Sequence, residues 1–195
     1  MNLISPLHHI HTEGSFGNSE NKKDNEILKI SEIKNLIIVQ VVQYKKSKIK
    51  LENIKFDNLQ FANNTQTVVS NENIRILWNS PNNWLLVSDK KKYLNEIFQT
   101  FNENDFAVTD LSHSKAIIEI EGPYVKEVLK KGCPFNFNIL NKNMSINSSY
   151  NGVSFLVDMI EDQPEKARLF SLRSFGESLY HSITDASLEY GYKCI

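Results

Sequence analysis

Cys133 stands between Gly132 and Pro134 in the stretch EIEGPYVKEVLKKGCPFN, residues 119–136. A cysteine attacks as its thiolate, so a catalytic one needs a lowered pKa, from a helix N-terminus or a neighbouring histidine. The surrounding pattern puts Cys133 just past a helix C-terminus, where the dipole disfavours the anion. It reads as a packed or idle thiol; His113 and His181 could serve it only if the fold brings them there. Asp110, Ser112, His113 and Ser114 have the residue types of a hydrolase. A serine and a histidine side by side in one loop are common by chance, and Ser112 more simply turns the chain into the next strand.

Three of the five histidines, His8, His9 and His11, fall in HHIH near the start. No Cys, Asp or Glu follows at metal-ligand spacing, so they read as idle. Trp78 and Trp84 bracket a polar turn. They could stack on a pterin or flavin, but tryptophans on facing strands of a hairpin more often anchor a core or an interface. Arg173, one of three arginines, sits at a strand-to-helix junction. It could bind a carboxylate at the start of the last helix or pair with a neighbouring acid. The seven glycines form neither G-x-G-x-x-G nor a P-loop, and C-x-x-C, H-E-x-x-H and G-x-S-x-G are all missing.

The elements that must position these residues follow from periodicity. Residues 36–42 are rich in β-branched side chains and read as a buried strand. Residues 44–56 read as a basic, loosely helical stretch with Ile49, Leu51 and Ile54 inward. Residues 65–70 and 74–78 flank NEN as a hairpin, the turn at 79–83 follows, and 84–87 form a short strand. Ser88 is placed to cap a helix whose face is Tyr93, Leu94, Ile97, Phe98 and Phe101. Strands follow at 106–109 and 115–121, the second alternating Ala116, Ile118 and Ile120 against Lys115, Glu119 and Glu121.

Gly122 then breaks the strand, and Pro123 suits a first helical position. Val125, Val128 and Leu129 face inward, and Gly132 is expected as the left-handed cap, with Pro134 preventing resumption. Strands are expected at 144–149, 153–160 and 168–172. Ser174 and Glu177 have the spacing of a capping box, opening a helix with Phe175, Leu179, Ile183, Ala186 and Tyr190 buried and Gly191 ending it. This order predicts an α+β fold with mostly antiparallel sheets and packed helices, not a doubly wound one.

The 195 residues carry 22 basic and 23 acidic side chains, a net charge of −1 that gives no field to draw in nucleic acid or a membrane. No apolar run is long enough to span a bilayer, the start lacks a secretory pattern, and two cysteines make no disulfide framework. A cytoplasmic protein is expected. Residues 1–30 are polar and without sustained period. They read as an extended arm, and residues 31–195 as one domain.

Three blocks match one pattern: ILWNSPNNWLLVS (76–88), AVTDLSHSKAIIEIEGPYVKEVLKKGCPFN (107–136) and LFSLRSFGESLYHSI (169–183), with an early SPL at 5–7. In this order and spacing they resemble the γ-subunit family of heterotetrameric sarcosine oxidases, over most of the chain outside the arm and residues 44–64. The resemblance implies a shortened relative of the folate-binding fold of the glycine-cleavage T-protein, with two interlocked ferredoxin-like lobes. It implies α, β and δ partner subunits that carry FAD, FMN, NAD, tetrahydrofolate and zinc, and a complex that converts sarcosine, O2 and tetrahydrofolate to glycine, 5,10-methylenetetrahydrofolate and H2O2. This chain would then have no catalytic, cofactor or metal residue and would act in assembly. Pro6, Leu7, Ile10, Trp78, Trp84 and Arg173 are the candidate partner-interface residues. The alternative is a folate-binding or one-carbon transfer protein with its own pocket. That chemistry calls for an acid in the turn before residues 84–87, where Asn82 and Asn83 stand.

Overall fold

The computed structural model describes residues 4–195. In chain order it comprises β1 (Gly14–Phe16), β2 (Leu28–Glu32), β3 (Ile37–Gln43), β4 (Lys55–Phe56), β5 (Leu59–Gln60), β6 (Val68–Ser70), β7 (Arg75–Ser80) and β8 (Asn83–Ser88). Then come α1 (Lys92–Thr100), β9 (Phe106–Asp110), β10 (Lys115–Glu121), α2 (Val125–Gly132), β11 (Ser145–Tyr150), β12 (Val153–Asp162), β13 (Glu165–Leu172), α3 (Gly176–Ser187) and β14 (Tyr192–Cys194). The expected α+β class with mostly antiparallel sheets holds. The described chain divides into two compact units, residues 4–34, 114–142 and 146–195, and residues 35–113 and 143–145.

The first unit is built on a seven-stranded sheet in the order β1-β14-β2-β10-β13-β12-β11. β14 and β2 run parallel; β10 lies antiparallel between β2 and β13. Along β10 the alternation read from sequence holds: Ala116, Ile118 and Ile120 are fully buried, and Glu119 and Glu121 point the other way to meet Arg168 and Lys166 of β13. α2 and α3 pack on one another and on this sheet. The boundary drawn at residue 30 falls inside β2, in the middle of the sheet.

Three local expectations fail here. Gly132 is the last residue of α2 and is not left-handed; Cys133 is the C-cap, with φ −124°. A Cβ on Gly132 would lie 2.5 Å from the Tyr150 ring, so the glycine serves close approach, not chain reversal. Pro123 precedes α2 by two residues, since the N-cap is Tyr124. Ser174 and Glu177 form no capping box. A 3-10 turn over Arg173–Phe175 intervenes, and α3 starts at Gly176 without a side-chain cap. That shift turns Phe175 outward, and the buried face becomes Gly176, Leu179, Tyr180, Ile183, Thr184 and Ser187. Gly122 follows the end of β10, as expected, whereas α3 stops at Ser187 with Leu188 as its C-cap, before Gly191; both glycines have positive φ.

The second unit has a five-stranded antiparallel sheet, β6-β7-β8-β3-β9, and the β4–β5 ribbon. α1 packs against β3 and β9. Its core is a chain of aromatic contacts: Phe56 against Tyr93, Phe61 against Trp84 and Phe101, and Phe101 against Phe106. Each such side chain taken from water contributes about 1.5–3 kcal/mol. Residues 44–56 do not form the loose helix expected. Only Leu51–Asn53 makes a 3-10 turn, while Gln43 holds the segment by donating from Nε2 to the Ile49 carbonyl at 2.7 Å. Ser88 caps no helix; its hydroxyl accepts from Lys90 N and donates to the Asn73 carbonyl, and α1 begins later. Phe98, expected inward, is exposed.

Candidate partner interface

The start of the chain is held to the first unit by its own polar groups. The Ser5 hydroxyl donates to the Glu32 carboxylate, and the Leu7 amide donates to Glu32 Oε1 at 3.2 Å. The amides of Ile10 and His11 donate back to the Leu7 carbonyl at 3.0 and 2.9 Å, which winds the segment into a turn. Leu7 is completely buried. Gly176 makes room for this seat: a Cβ there would stand 2.5 Å from Ala116 Cβ and 3.6–3.7 Å from Leu7 and Pro6. His11 then bridges the Tyr180 hydroxyl at 3.0 Å and the Ile195 carbonyl at 3.2 Å.

Beside that seat, Arg173 donates to the Ile4 carbonyl. This joins the first described residues to the β13–α3 junction. On the two segments so joined, Ile4 is 62% exposed, Leu172 48% and Phe175 49%. Among the described residues Arg173 has no carboxylate at ion-pairing distance, whereas Arg168 meets Glu119 at 2.8 Å. The arrangement is a cation with spare donors set among half-exposed apolar side chains, on a base fixed by Leu7 and Gly176.

The six candidate interface residues separate on this geometry. Leu7 and Trp84 are core residues: the Trp84 indole donates to the Ala62 carbonyl at 2.7 Å and is 1% exposed. Trp78 is its cross-strand partner, half-buried, with its indole donating to Asn63 Oδ1 at 3.2 Å. Pro6 and Ile10 are half-buried and Arg173 is exposed. The sequence gives no signal for Leu172, and it reads Phe175 as a core residue. The period that made Phe175 a core residue counted from a helix start that the 3-10 turn displaces.

The possible chemistry elsewhere is accounted for by structural bonds. Cys133 is buried, its thiol 3.2 Å from the Ser148 hydroxyl. Cys194 lies 3.1 Å from the Tyr180 hydroxyl, and burial pushes its thiol above the ordinary value, away from thiolate. The Ser112 hydroxyl donates to Asp110 Oδ1 at 2.5 Å and accepts from the Ile38 amide at 3.0 Å, so it closes a turn. Asn83, the first residue of β8, accepts from Gln40 Nε2 at 3.1 Å. Among the described residues no three His, Cys, Asp or Glu side chains gather to hold a metal ion, and no helix is long and apolar enough to cross a membrane.

One depression, of about 370 Å³, went unforeseen; Lys55, Phe56, Asp57, Glu96, Gln99 and Thr100 line it. It is open and of mixed charge. Asp57 there is held below the usual carboxylate range by hydrogen bonds from Asn71 and then from Tyr93, at 2.9 Å each. Burial and that carboxylate push the Tyr93 phenol up to about 12. These bonds fasten the β4–β5 turn, where Asp57 and Asn58 are both left-handed.

No family model matches the chain. It is 27% identical over 118 residues to the sarcosine oxidase subunit gamma of Corynebacterium sp. (strain U-96), a stretch that takes in 59% of this chain and 57% of that relative. The match thus spans little more than half the length of the curated relative. Among solved structures, the chain is similar to a chain of the heterotetrameric sarcosine oxidase from Corynebacterium sp. U-96. The TM-score is 0.77 at 19% identity, over 95% of both chains. It is also similar to aminomethyltransferase T of the glycine cleavage system from Bartonella henselae, with a TM-score of 0.63 at 9% identity, over 88% of this chain and 48% of that one. The chain is thus similar in sequence to a sarcosine oxidase γ subunit and shares the α+β fold of a chain of the heterotetrameric enzyme and of aminomethyltransferase T.

Proposed function

We propose that the chain is the γ-type subunit of a multi-chain sarcosine oxidase and works in assembly, positioning flavin-bearing partners rather than reacting itself. One observation carries this reading: similarity in sequence to a γ subunit coincides with a fold match along 95% of this chain to a chain of the heterotetrameric enzyme. The site chemistry agrees with it. Burial pushes the Cys194 thiol away from thiolate, the buried Cys133 thiol lies against the Ser148 hydroxyl, and the Ser112 hydroxyl is engaged in a turn. In this reading the partners are the α, β and δ subunits, which hold FAD, FMN, NAD, tetrahydrofolate and zinc. The reaction is the conversion of sarcosine, O2 and tetrahydrofolate to glycine, 5,10-methylenetetrahydrofolate and H2O2, in the cytoplasm.

The test is to produce the partner subunits with and without this chain and to assay sarcosine-dependent H2O2 release. Assembled, active complex should be recovered in good yield only when the chain is present. The isolated chain should show no turnover with sarcosine or tetrahydrofolate. One-carbon transfer by the isolated chain would instead support the folate-dependent alternative, and a full yield of active complex without it would remove the assembly role.

A further inference from the structure

We propose that the junction of residues 4–6 with residues 172–175 is the face on which a partner subunit docks, and that the partner brings apolar side chains set around a carboxylate. The inference rests on the reading of the chain as a subunit and names where and how it is engaged. Ile4, Leu172 and Phe175 are three large apolar side chains, each about half or more exposed, on the two segments that the Arg173 bond to the Ile4 carbonyl joins. Exposed apolar groups that cluster, unlike scattered ones, mark interaction surfaces. The base is preorganised, because Leu7 is buried beneath it and Ser5 and Leu7 are both tied to Glu32. Little ordering entropy remains to be lost on docking.

Arg173 decides the chemistry of the occupant. Its fork carries five N–H donors, of which the Ile4 carbonyl engages only part, and no carboxylate of the described residues reaches it. A purely apolar partner would strip water from the guanidinium without replacing its bonds, which is strongly unfavourable. A partner carboxylate accepts two parallel bonds from the same fork and completes the site. An arginine beside an aromatic, ringed by apolar groups, is the composition of an interface hot spot.

The test uses the full chain, tagged and co-produced with the other subunits of the sarcosine oxidase complex. Phe175→Ser should lower the recovered partner by about tenfold or more. Arg173→Glu should lower it further than Arg173→Gln, because reversal sets two like charges together. Phe98→Ser, on exposed α1, should leave recovery unchanged, and all four variants should melt like the wild type. If the wild type recovers partners while the Phe175 and Arg173 variants stay within twofold of it, the docking face is wrong and the subunit reading stands. If the wild type recovers none, the subunit reading fails and takes this inference with it. Equal losses for Arg173→Glu and Arg173→Gln would overturn the carboxylate. As a readout independent of folding, a photoreactive phenylalanine analogue at position 175 should cross-link to a partner subunit. Cross-linking to a second copy of this chain, or none at all in the assembled complex, would overturn the assignment.

Discussion

Two places in the molecule hold large apolar side chains around a hydrogen-bonding head, and they end differently. At the β7–β8 hairpin, Trp84 turns into the second unit, gives its indole hydrogen to Ala62 and packs on Phe61. Its cross-strand partner Trp78 gives its own to Asn63. Every polar head there has an internal partner, and the aromatic area is already spent on the unit's core. At the β13–α3 junction and the segment bonded to it, Leu172, Phe175 and Ile4 stay exposed by about half or more, and Arg173 has no carboxylate partner among the described residues. Residue type alone does not separate a core anchor from an interface anchor. What separates them is whether the chain itself supplies the second side of the contact.

The largest effect should fall on the closed side of this contrast. Trp84→Ala removes a fully buried ring and leaves the Ala62 carbonyl unpaired, and should cost about 3–5 kcal/mol in urea unfolding. A cost under about 1 kcal/mol would mean that Trp84 does not anchor the core of its unit. Next comes Gly132→Ala. In an ordinary helix interior the change stabilises by up to about 1 kcal/mol, but here the new Cβ would meet the Tyr150 ring at 2.5 Å. The sign should invert, with a loss of about 1–3 kcal/mol, and replacing Tyr150 by a smaller side chain in the same protein should recover part of it.

Tyr93→Phe should cost about 1 kcal/mol at neutral pH through the lost bond to Asp57. Because the folded carboxyl lies below its ordinary value, this stabilisation is present above pH ~4 and fades as pH falls through the folded pKa. The wild type and the variant should therefore converge in acid, and urea unfolding at several pH values will show whether they do. The smallest effect belongs to the open side. Phe175→Ser should change unfolding stability by no more than about 0.5 kcal/mol, since its ring has no internal second side; a loss near that of Trp84→Ala would erase the contrast.

The parts of the fold legible in the sequence were those fixed by neighbours in the chain. The alternation along β10, the inward Val125, Val128 and Leu129 of α2, and the stop at Gly122 all held. What failed depended on residues far away. Nothing near Gly132 announces Tyr150, which arrives from β11. Nothing in the polar start announces that residues 28–32 form a strand between β14 and β10, because one of those pairings is parallel and joins the two ends of the described chain. The candidate interface was half legible. Arg173 and Pro6 stood out singly, but their convergence with Ile4 and Phe175 depends on Gly176 admitting the N-terminal segment and on the 3-10 turn that rotates Phe175 outward.

The central claim, that this chain is a building part of a larger oxidase, is tested most directly by native mass spectrometry of the complex recovered through the tagged chain. The account predicts an assembly in which one 22.5 kDa chain is held with larger flavin-bearing subunits, with flavin leaving alongside those subunits when the complex is dissociated. A chain that travels alone, or one that releases flavin or folate from its own mass peak, would contradict it.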